Sequence, residues 1–193
     1  MPIGNSTKLA FAAALKNLLA TKELSAVRVQ ELCRICGAER PTFYYHFRDK
    51  YDLVSWIYEQ DLLETMGSFG GPYCEEQLEK LLLRMMSEQT FYRRAFNDSG
   101  QNALLPYILQ SNIRLARKLV QEQYIPQNLT QEDEFHIHMY TYAWCGCLQD
   151  WVSGRYDFTP TQYARLMYRS LIQMDEPGLG RKRREGPPWN TSQ

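Results

Sequence analysis

The strongest constraint on the fold is a pair of short amphipathic segments separated by Gly37. Four apolar residues of the first segment recur at helical spacing and predict one buried face: Val29, Leu32, Cys33 and Cys36. Gly37 favours the end of this helix because glycine readily adopts the left-handed conformation of a C-terminal cap. The spacing therefore predicts a short helix that stops at a tight turn.

The second segment, residues 40–47, predicts another short helix. Pro41 fits its first turn, where a missing backbone N–H costs little. Phe43 and Phe47 lie four residues apart, so both rings point to the same inner face. Two short helices around a brief turn form a helix-turn-helix, whose second helix fits the major groove of DNA. The sequence therefore predicts a DNA-reading helix at residues 40–47.

The predicted DNA contacts come from the side chains that point away from the core, namely Arg40, Pro41, Thr42, Tyr44, Tyr45, His46 and Lys50. Arg40 can donate two hydrogen bonds to a guanine edge, and Pro41 can contact a thymine methyl group. The tyrosine hydroxyls can reach bases or phosphates, while the threonine, histidine and lysine suit phosphate oxygens. The alternative is that the two tyrosines and the histidine form a half-buried aromatic surface without a ligand.

The charge distribution agrees with a nucleic-acid contact near the N-terminus. The chain of 193 residues has a formal net charge of zero, although DNA binding is driven by basic residues that neutralise phosphates. The first 50 residues, however, carry eight basic and four acidic side chains, so the remainder is net acidic. This asymmetry favours an N-terminal module that binds nucleic acid.

The whole chain predicts helices and no strands, so the expected fold class is all-α. Apolar stripes and capping residues predict further helices at residues 7–20, 49–66, 102–124, 131–153 and 160–174. The helix at 49–66 is long enough to join a DNA-binding unit to a body. The predicted domains are a three-helix helix-turn-helix domain at 1–52, a helical body at 53–175 and a disordered tail at 176–193.

Residues 7–56 resemble the DNA-binding domain of the TetR family of bacterial regulators. The resemblance rests on the segment 32–37, the run Thr-Phe-Tyr-Tyr-His-Phe at 42–47, and Lys50 with Leu53. It implies that the bases are contacted by Arg40, Pro41 and Tyr45. It also implies that phosphates are held by Thr42, Tyr44, His46 and Lys50.

Two residues depart from the pattern of this family. Glu39 replaces the usual serine or asparagine, and Arg28 replaces the usual threonine or serine that caps the second helix. Glu39 suits a helix N-terminus electrostatically but repels phosphate, whereas Arg28 can add a phosphate contact. We therefore include Arg28 among the expected DNA-binding residues.

For the rest of the chain, the resemblance implies a ligand-binding and dimerisation body whose last two helices pack against a second subunit. A small-molecule effector and a homodimer are thus expected partners besides double-stranded DNA. The residues Gly146, Leu148, Trp151 and Gly154 before Thr159 resemble a branch that includes regulators of dihydroxyacetone kinase operons. Some of the aromatic side chains in the body are candidates for an apolar effector pocket.

An apolar stripe within the predicted helix 131–153 is the expected dimer interface. Its members follow one another at spacings of four, four and three: Tyr140, Trp144, Leu148 and Trp151. A dimer suits DNA recognition, because one short helix reads few base pairs and symmetric half-sites about 34 Å apart increase discrimination. The alternative is that this stripe is internal core.

No catalytic residue, metal site or cofactor is expected. Cys33 and Cys36 share the core stripe, which favours buried apolar packing over zinc or redox chemistry. Asp133 and His136 have a helical metal-ligand spacing, but a metal centre in a bundle normally needs two such pairs. Motifs of hydrolases, metalloproteases, phosphate loops and dinucleotide sites do not occur, so we do not expect an enzyme.

The sequence predicts a cytoplasmic protein that does not enter the membrane, because no apolar run approaches the roughly 20 residues of a membrane span. The leading hypothesis is a transcription regulator that binds a palindromic operator as a dimer, with an affinity that an effector or partner modulates. The alternative is a co-regulator with little DNA affinity of its own that acts through a partner protein. Repression and activation are both open.

Overall fold

The computed structural model describes residues 3–66, 74–97, 104–123 and 128–174. These ranges form nine α-helices and one short 3-10 helix, with no β-strand among them, which confirms the predicted all-α class. None of the helices in these ranges combines the length and the apolar character that crossing a membrane requires.

The N-terminal part contains four helices: α1 (Ile3–Leu19), α2 (Val29–Cys36), α3 (Arg40–His46) and α4 (Lys50–Met66), with a one-turn 3-10 helix (Leu24–Ala26) between the first two. The body adds α5 (Glu75–Ser87), α6 (Gln89–Phe96), α7 (Leu104–Gln123), α8 (Gln131–Val152) and α9 (Pro160–Met174). The predicted bounds of α4, α8 and α9 agree with these to within one residue. Helix α1 begins four residues earlier than the sequence predicted.

Aromatic packing anchors α3 to its neighbours. Phe43 is fully buried, and its ring centroid lies 5.2 Å from that of Phe11 in α1, edge to face. Phe47 is 3% exposed and contacts Trp56 of α4, with the ring centroids 5.9 Å apart. Because both inner-face rings are held by other helices, the orientation of the outer face of α3 is fixed.

The turn between α2 and α3 has the geometry that its glycine predicts. Gly37 adopts a φ of 60° and a ψ of 30°, in the left-handed region. The N–H of Ala38 donates to the carbonyl oxygen of Cys33 at 2.9 Å and so closes the end of α2. A side chain at residue 37 would be strained in this conformation, which explains the glycine.

Side-chain caps begin several helices as predicted. Asp49 starts α4, since its Oδ1 accepts from the N–H groups of Tyr51 and Asp52 at 2.8 and 3.0 Å. Asp52, three residues after this cap, accepts through its Oδ2 from the N–H of Arg48 at 2.9 Å. Reciprocal capping pairs begin α8 and α9, Thr130 with Asp133 and Thr159 with Gln162.

Helix α4 links the N-terminal part to the body. It packs against α5 and α7, while α9 covers α5 and α8 covers α7. Buried apolar residues from α1 through α9 form one continuous cluster, and the predicted boundary at residue 52 falls within α4. The division into domains at that residue therefore stays a prediction. The segment 67–72, whose glycines and proline are a sequence pattern typical of a loop, and the predicted disordered tail at 176–193 lie outside the described residues.

Candidate nucleic-acid interface

The outer face of α3 presents Arg40, Pro41, Tyr44 and Tyr45, which are all exposed. One terminal nitrogen of Arg40 donates to the hydroxyl of Tyr44 at 3.4 Å, and the guanidinium carbon lies 5.8 Å from the Tyr44 ring centroid. This contact orients the arginine along the helix while leaving most of its N–H groups available for a base edge.

Tyr45 extends furthest from the protein on this face. Its side chain is 85% exposed, compared with 48% for Tyr44. Thr42 and His46 are half-buried on the flanks of the helix, and the His46 ring lies 4.9 Å from the Tyr45 ring between centroids. The alternative of a half-buried aromatic surface thus describes His46 but not the two tyrosines. Contacts of all these residues with DNA stay predictions.

Two charged residues occupy the starts of the helix-turn-helix helices. Arg28 is the N-cap of α2 and Glu39 is the N-cap of α3, and neither side chain makes a capping hydrogen bond. Both are exposed, so Arg28 can reach a phosphate while Glu39 holds a carboxylate at the edge of the reading helix.

Arg34 is a candidate that the sequence analysis did not single out. It is exposed in the last turn of α2, outside the buried stripe marked by Leu32 and Cys33. Within the described ranges no ion pair is found for Arg28, Arg34 or Arg40. Three uncompensated arginines in and beside two short helices form a positive surface suited to phosphates.

The ammonium group of Lys50 is already bonded within the protein. Its Nζ donates to the carbonyl oxygens of Ser25 at 2.8 Å and Val27 at 3.0 Å, and the side chain is half-buried. Lys50 thereby ties the start of α4 to the loop that precedes α2. A phosphate contact of Lys50 stays a prediction, while the structure adds a stabilising role.

Replacing Lys50 with methionine should lower the free energy of unfolding by about 1.5–3 kcal/mol, as is typical when a charged hydrogen bond is lost. Urea denaturation followed by circular dichroism measures the change. Lys22→Met is the matched control, because Lys22 makes an exposed ion pair with Glu31 that contributes about 1 kcal/mol or less. An unchanged unfolding midpoint combined with a weaker salt dependence of DNA binding would contradict the stabilising role and favour the phosphate contact.

The stripe predicted as the dimer interface lies mostly inside the chain. Leu148 is fully buried, Trp144 and Trp151 are 9% and 5% exposed, and Tyr140 is half-buried. The indole N–H of Trp144 donates to the hydroxyl of Tyr58 at 3.1 Å. Side chains that the chain itself covers offer little surface to a second subunit. The burial of Trp144, Leu148 and Trp151 favours the alternative of internal core, and their place in a dimer interface stays a prediction.

Hydrogen-bonded polar groups lie at the centre of the body. Asn112 donates to the Tyr58 hydroxyl at 3.3 Å and to the Cys145 sulfur at 3.2 Å. Burial raises the pKa of the Cys145 thiol to about 11, so this thiol stays protonated and unreactive. Asp61, only 3% exposed, accepts from Arg84 Nε at 3.0 Å and from the Tyr92 hydroxyl. Burial and the adjacent carboxylate raise the pKa of Tyr92 well above its ordinary value.

Metal-binding geometry is not found among the residues that the structure describes, where no group of three or more His, Cys, Asp or Glu side chains is placed to hold an ion. Cys33 is buried and Cys36 is half-buried on the inner face of α2. Burial raises the pKa of both thiols, which disfavours the thiolate that metal and redox sites use.

Two curated relatives share part of the sequence. The chain is 31% identical over 91 residues to the HTH-type dhaKLM operon transcriptional activator DhaS of Lactococcus lactis, covering 47% of this chain and 49% of the relative. It is 39% identical over 108 residues to the HTH-type transcriptional regulator EthR of Mycobacterium tuberculosis, covering 53% and 50%. The chain thus spans about half the length of the curated relatives that it matches.

Solved structures share the fold. The dihydroxyacetone kinase operon activator DhaS superposes with a TM-score of 0.57 at 20% identity, covering 87% of this chain and 95% of that one. The fatty acid degradation regulator FadR from Bacillus halodurans gives a TM-score of 0.52 at 14% identity, covering 91% and 97%. At these identities the superpositions establish the all-helical architecture alone.

Two family models match separate parts of the chain. The model described as bacterial regulatory proteins, tetR family, matches residues 12–56, which include the helix-turn-helix. The model described as a transcriptional regulator C-terminal region matches residues 74–173, about half of the chain. Both the helix-turn-helix and the body therefore match models of transcriptional regulators. The chain belongs to the TetR family of bacterial regulatory proteins.

Proposed function

We propose that the chain regulates transcription by binding a palindromic DNA site as a homodimer, with α3 of each subunit in a major groove. The observation that carries this proposal is the division of α3 into two faces. Phe43 and Phe47 lock the inner face, while Arg40, Pro41 and Tyr45 extend outward without contributing to the core. The proposed function places the chain in the cytoplasm, where a bacterial regulator meets chromosomal DNA, and it involves no catalysis.

Direct DNA binding is tested by fluorescence anisotropy of the purified chain with a labelled pool of random duplexes at rising salt. We expect binding that weakens steeply with salt, because each phosphate contact releases condensed counterions. A second candidate function is co-regulation through a partner protein, which the exposed carboxylate of Glu39 beside α3 favours. A chain that retains no DNA at low salt but copurifies with a stoichiometric foreign subunit would support that candidate instead.

The outer face of α8 supports the homodimer. Phe135 and Tyr142 lie two helical turns apart and are 64% and 59% exposed. Gly146 follows one turn later, and the space around its Cα is open, so a second helix can approach closely there. On α9, Leu166 is 45% exposed. We propose these outward residues as the surface of the subunit contact.

Charging this face should dissociate the dimer. We expect Phe135→Asp combined with Tyr142→Asp to convert the protein to a monomer at micromolar concentration, because buried unpaired carboxylates oppose association. Sedimentation velocity measures the mass. Tyr156→Asp, which changes a 40% exposed tyrosine after α8, is the control and should leave the dimer intact. A double variant that still sediments as a dimer would place the contact elsewhere.

Two contacts provide a route by which an effector or partner could modulate DNA affinity. Arg94 of α6 donates to the carbonyl oxygen of Leu19, the last residue of α1, at 3.0 Å and to that of Lys22 at 3.2 Å. The hydroxyl of Tyr107 in α7 donates to Asp49, the cap of α4. A ligand that repositions α6 or α7 would therefore shift the unit that carries α3, and a shift in a dimer changes the distance between the two reading helices.

Glu39→Gln should strengthen DNA binding by about 0.5–1 kcal/mol per half-site at low salt, because a carboxylate near the phosphates is removed. The gain should shrink as salt rises. Anisotropy titrations at two salt concentrations measure it. Glu132→Gln, the same change in the first turn of α8, should leave affinity unchanged. Equal affinity of Glu39→Gln and wild type at low salt would show that residue 39 faces away from DNA.

A further inference from the structure

A polar cleft of about 160 Å³ lies where the helix-turn-helix meets the body. Its wall includes α1, the C-terminal end of α3, the first turns of α4, and α7. His46 and Phe47 face it from the reading helix, and Tyr107 faces it from the body. An internal cavity of about 150 Å³ accommodates a molecule as large as benzene, so the cleft suits a small ligand. We call it the junction cleft.

The charges of the junction cleft do not balance. Three cations and two carboxylates line it: Lys8, Arg48, Arg114, Asp52 and Glu59. Arg48 pairs with Asp52 at 3.5 Å, and Arg114 pairs with Glu59. Both carboxylates have an arginine partner, and Glu59 also interacts electrostatically with Lys8, so these five side chains together carry one positive charge in excess.

The ammonium group of Lys8 is packed against two aromatic rings and is available to a ligand. Its Nζ lies 5.6 Å from the ring centroids of both Phe47 and Trp56. In the described part of the chain, no hydrogen bond or salt bridge to this Nζ is found. The ring faces stabilise the cation but accept no conventional hydrogen bond, so its three N–H groups can serve an oxyanion.

We propose that the junction cleft binds a small organic oxyanion, with the Lys8 ammonium as its charged partner. The occupant would carry one carboxylate or phosphate group and about ten or fewer non-hydrogen atoms, given the cleft volume. Ser55 also lines the cleft, and its hydroxyl donates to the carbonyl oxygen of Tyr107 at 3.4 Å. Burial raises the pKa of Glu59, although the neighbouring Arg114 and Lys8 lower it.

A bound oxyanion would also affect the reading helix. It would contact His46, the last residue of α3, and Phe47, the residue that caps α3. It would also contact the α7 side of the cleft. This regulatory consequence rests on the proposed function, whereas anion binding itself does not.

The test uses the full chain, without DNA, titrated at constant ionic strength with inorganic phosphate, glycerol 3-phosphate, acetate and glycerate. Tryptophan fluorescence reports binding, and Trp56→Phe identifies the part of the signal that comes from the cleft. We expect at least one probe to saturate. Lys8→Met should weaken its binding by about tenfold or more, as the loss of a charged hydrogen bond implies. Lys8→Gln provides a second neutral variant if the first folds poorly.

Two controls separate the cleft from other cationic surfaces. Lys80→Met changes an exposed lysine on α5 that pairs with Glu76, and Arg40→Ala changes the reading face. Neither should alter binding of the saturating probe. The proposal is overturned if no probe saturates, or if both neutral variants at residue 8 bind the probe as tightly as wild type.

The regulatory consequence is measured separately, as the change in DNA affinity at saturating probe. We expect a change of about threefold or more in wild type and none in Lys8→Met. Saturable, Lys8-dependent anion binding by a protein without DNA affinity would support the cleft and overturn the proposed function. Unchanged DNA affinity at saturating probe would overturn the regulatory consequence.

Discussion

Replacing Arg40 with alanine is expected to weaken binding to the cognate DNA site by about 1–3 kcal/mol per half-site, or roughly 5- to 150-fold. The guanidinium is exposed on the outer face of α3 and is oriented by the Tyr44 hydroxyl. Its fork of N–H donors matches a guanine edge, so its loss should also remove the preference for one base in each half-site. Competition between the best duplex and its single-base variants measures both effects.

Arg93→Ala is the matched control for this prediction, since Arg93 is exposed on α6, away from the helix-turn-helix. Its removal should leave both affinity and base preference unchanged. A uniform weakening on all duplexes for Arg40→Ala, with the base preference intact, would assign Arg40 to a phosphate instead of a base.

Phe43→Ala should lower the free energy of unfolding by about 3–5 kcal/mol, a large part of the roughly 5–15 kcal/mol typical of a domain. The ring is fully buried and packs edge to face on Phe11 and against Phe47. Alanine would leave a cavity under α3, so DNA binding should be lost together with stability. Chemical denaturation and anisotropy on the same samples measure the two effects.

The Tyr45→Ala variant distinguishes the buried side chains that anchor α3 from the exposed side chains that contact DNA. Because Tyr45 is 85% exposed, its replacement should change stability by less than about 0.5 kcal/mol while weakening DNA binding. A Phe43→Ala protein as stable as wild type would contradict the packing of α3. A destabilised Tyr45→Ala protein would contradict the division of α3 into an inner and an outer face.

Local sequence patterns predicted the helix-turn-helix and the start of α4 well. The conformation of Gly37, the cap at Asp49 and the inward rings of Phe43 and Phe47 all depend on residues within a few positions of one another. Helical periodicity and capping chemistry act over this same range. For this reason the bounds of α3 and the separation of its two faces could be predicted without a structure.

Contacts between distant segments could not be predicted in this way. Lys50 bonds to carbonyl oxygens 23 and 25 residues earlier in the chain, and Trp144 bonds to Tyr58, which is 86 residues away. An apolar stripe shows that a helix face is buried, but not whether the same chain or a second subunit covers it. Tertiary packing within the chain covers most of the stripe that was predicted as the dimer interface, which periodicity alone could not show.

We expect the outer face of α3 to read a specific DNA sequence. Selection of tightly bound duplexes from a random pool by repeated gel shifts, followed by sequencing, tests this most directly. We expect a palindrome whose half-sites are about 34 Å apart, or a multiple of that distance, because one reading helix from each subunit enters successive major grooves. Binding to this site should weaken with salt and should depend on Arg40. Recovery of unrelated sequences, with no enriched site after repeated rounds, would contradict sequence-specific reading of DNA by α3.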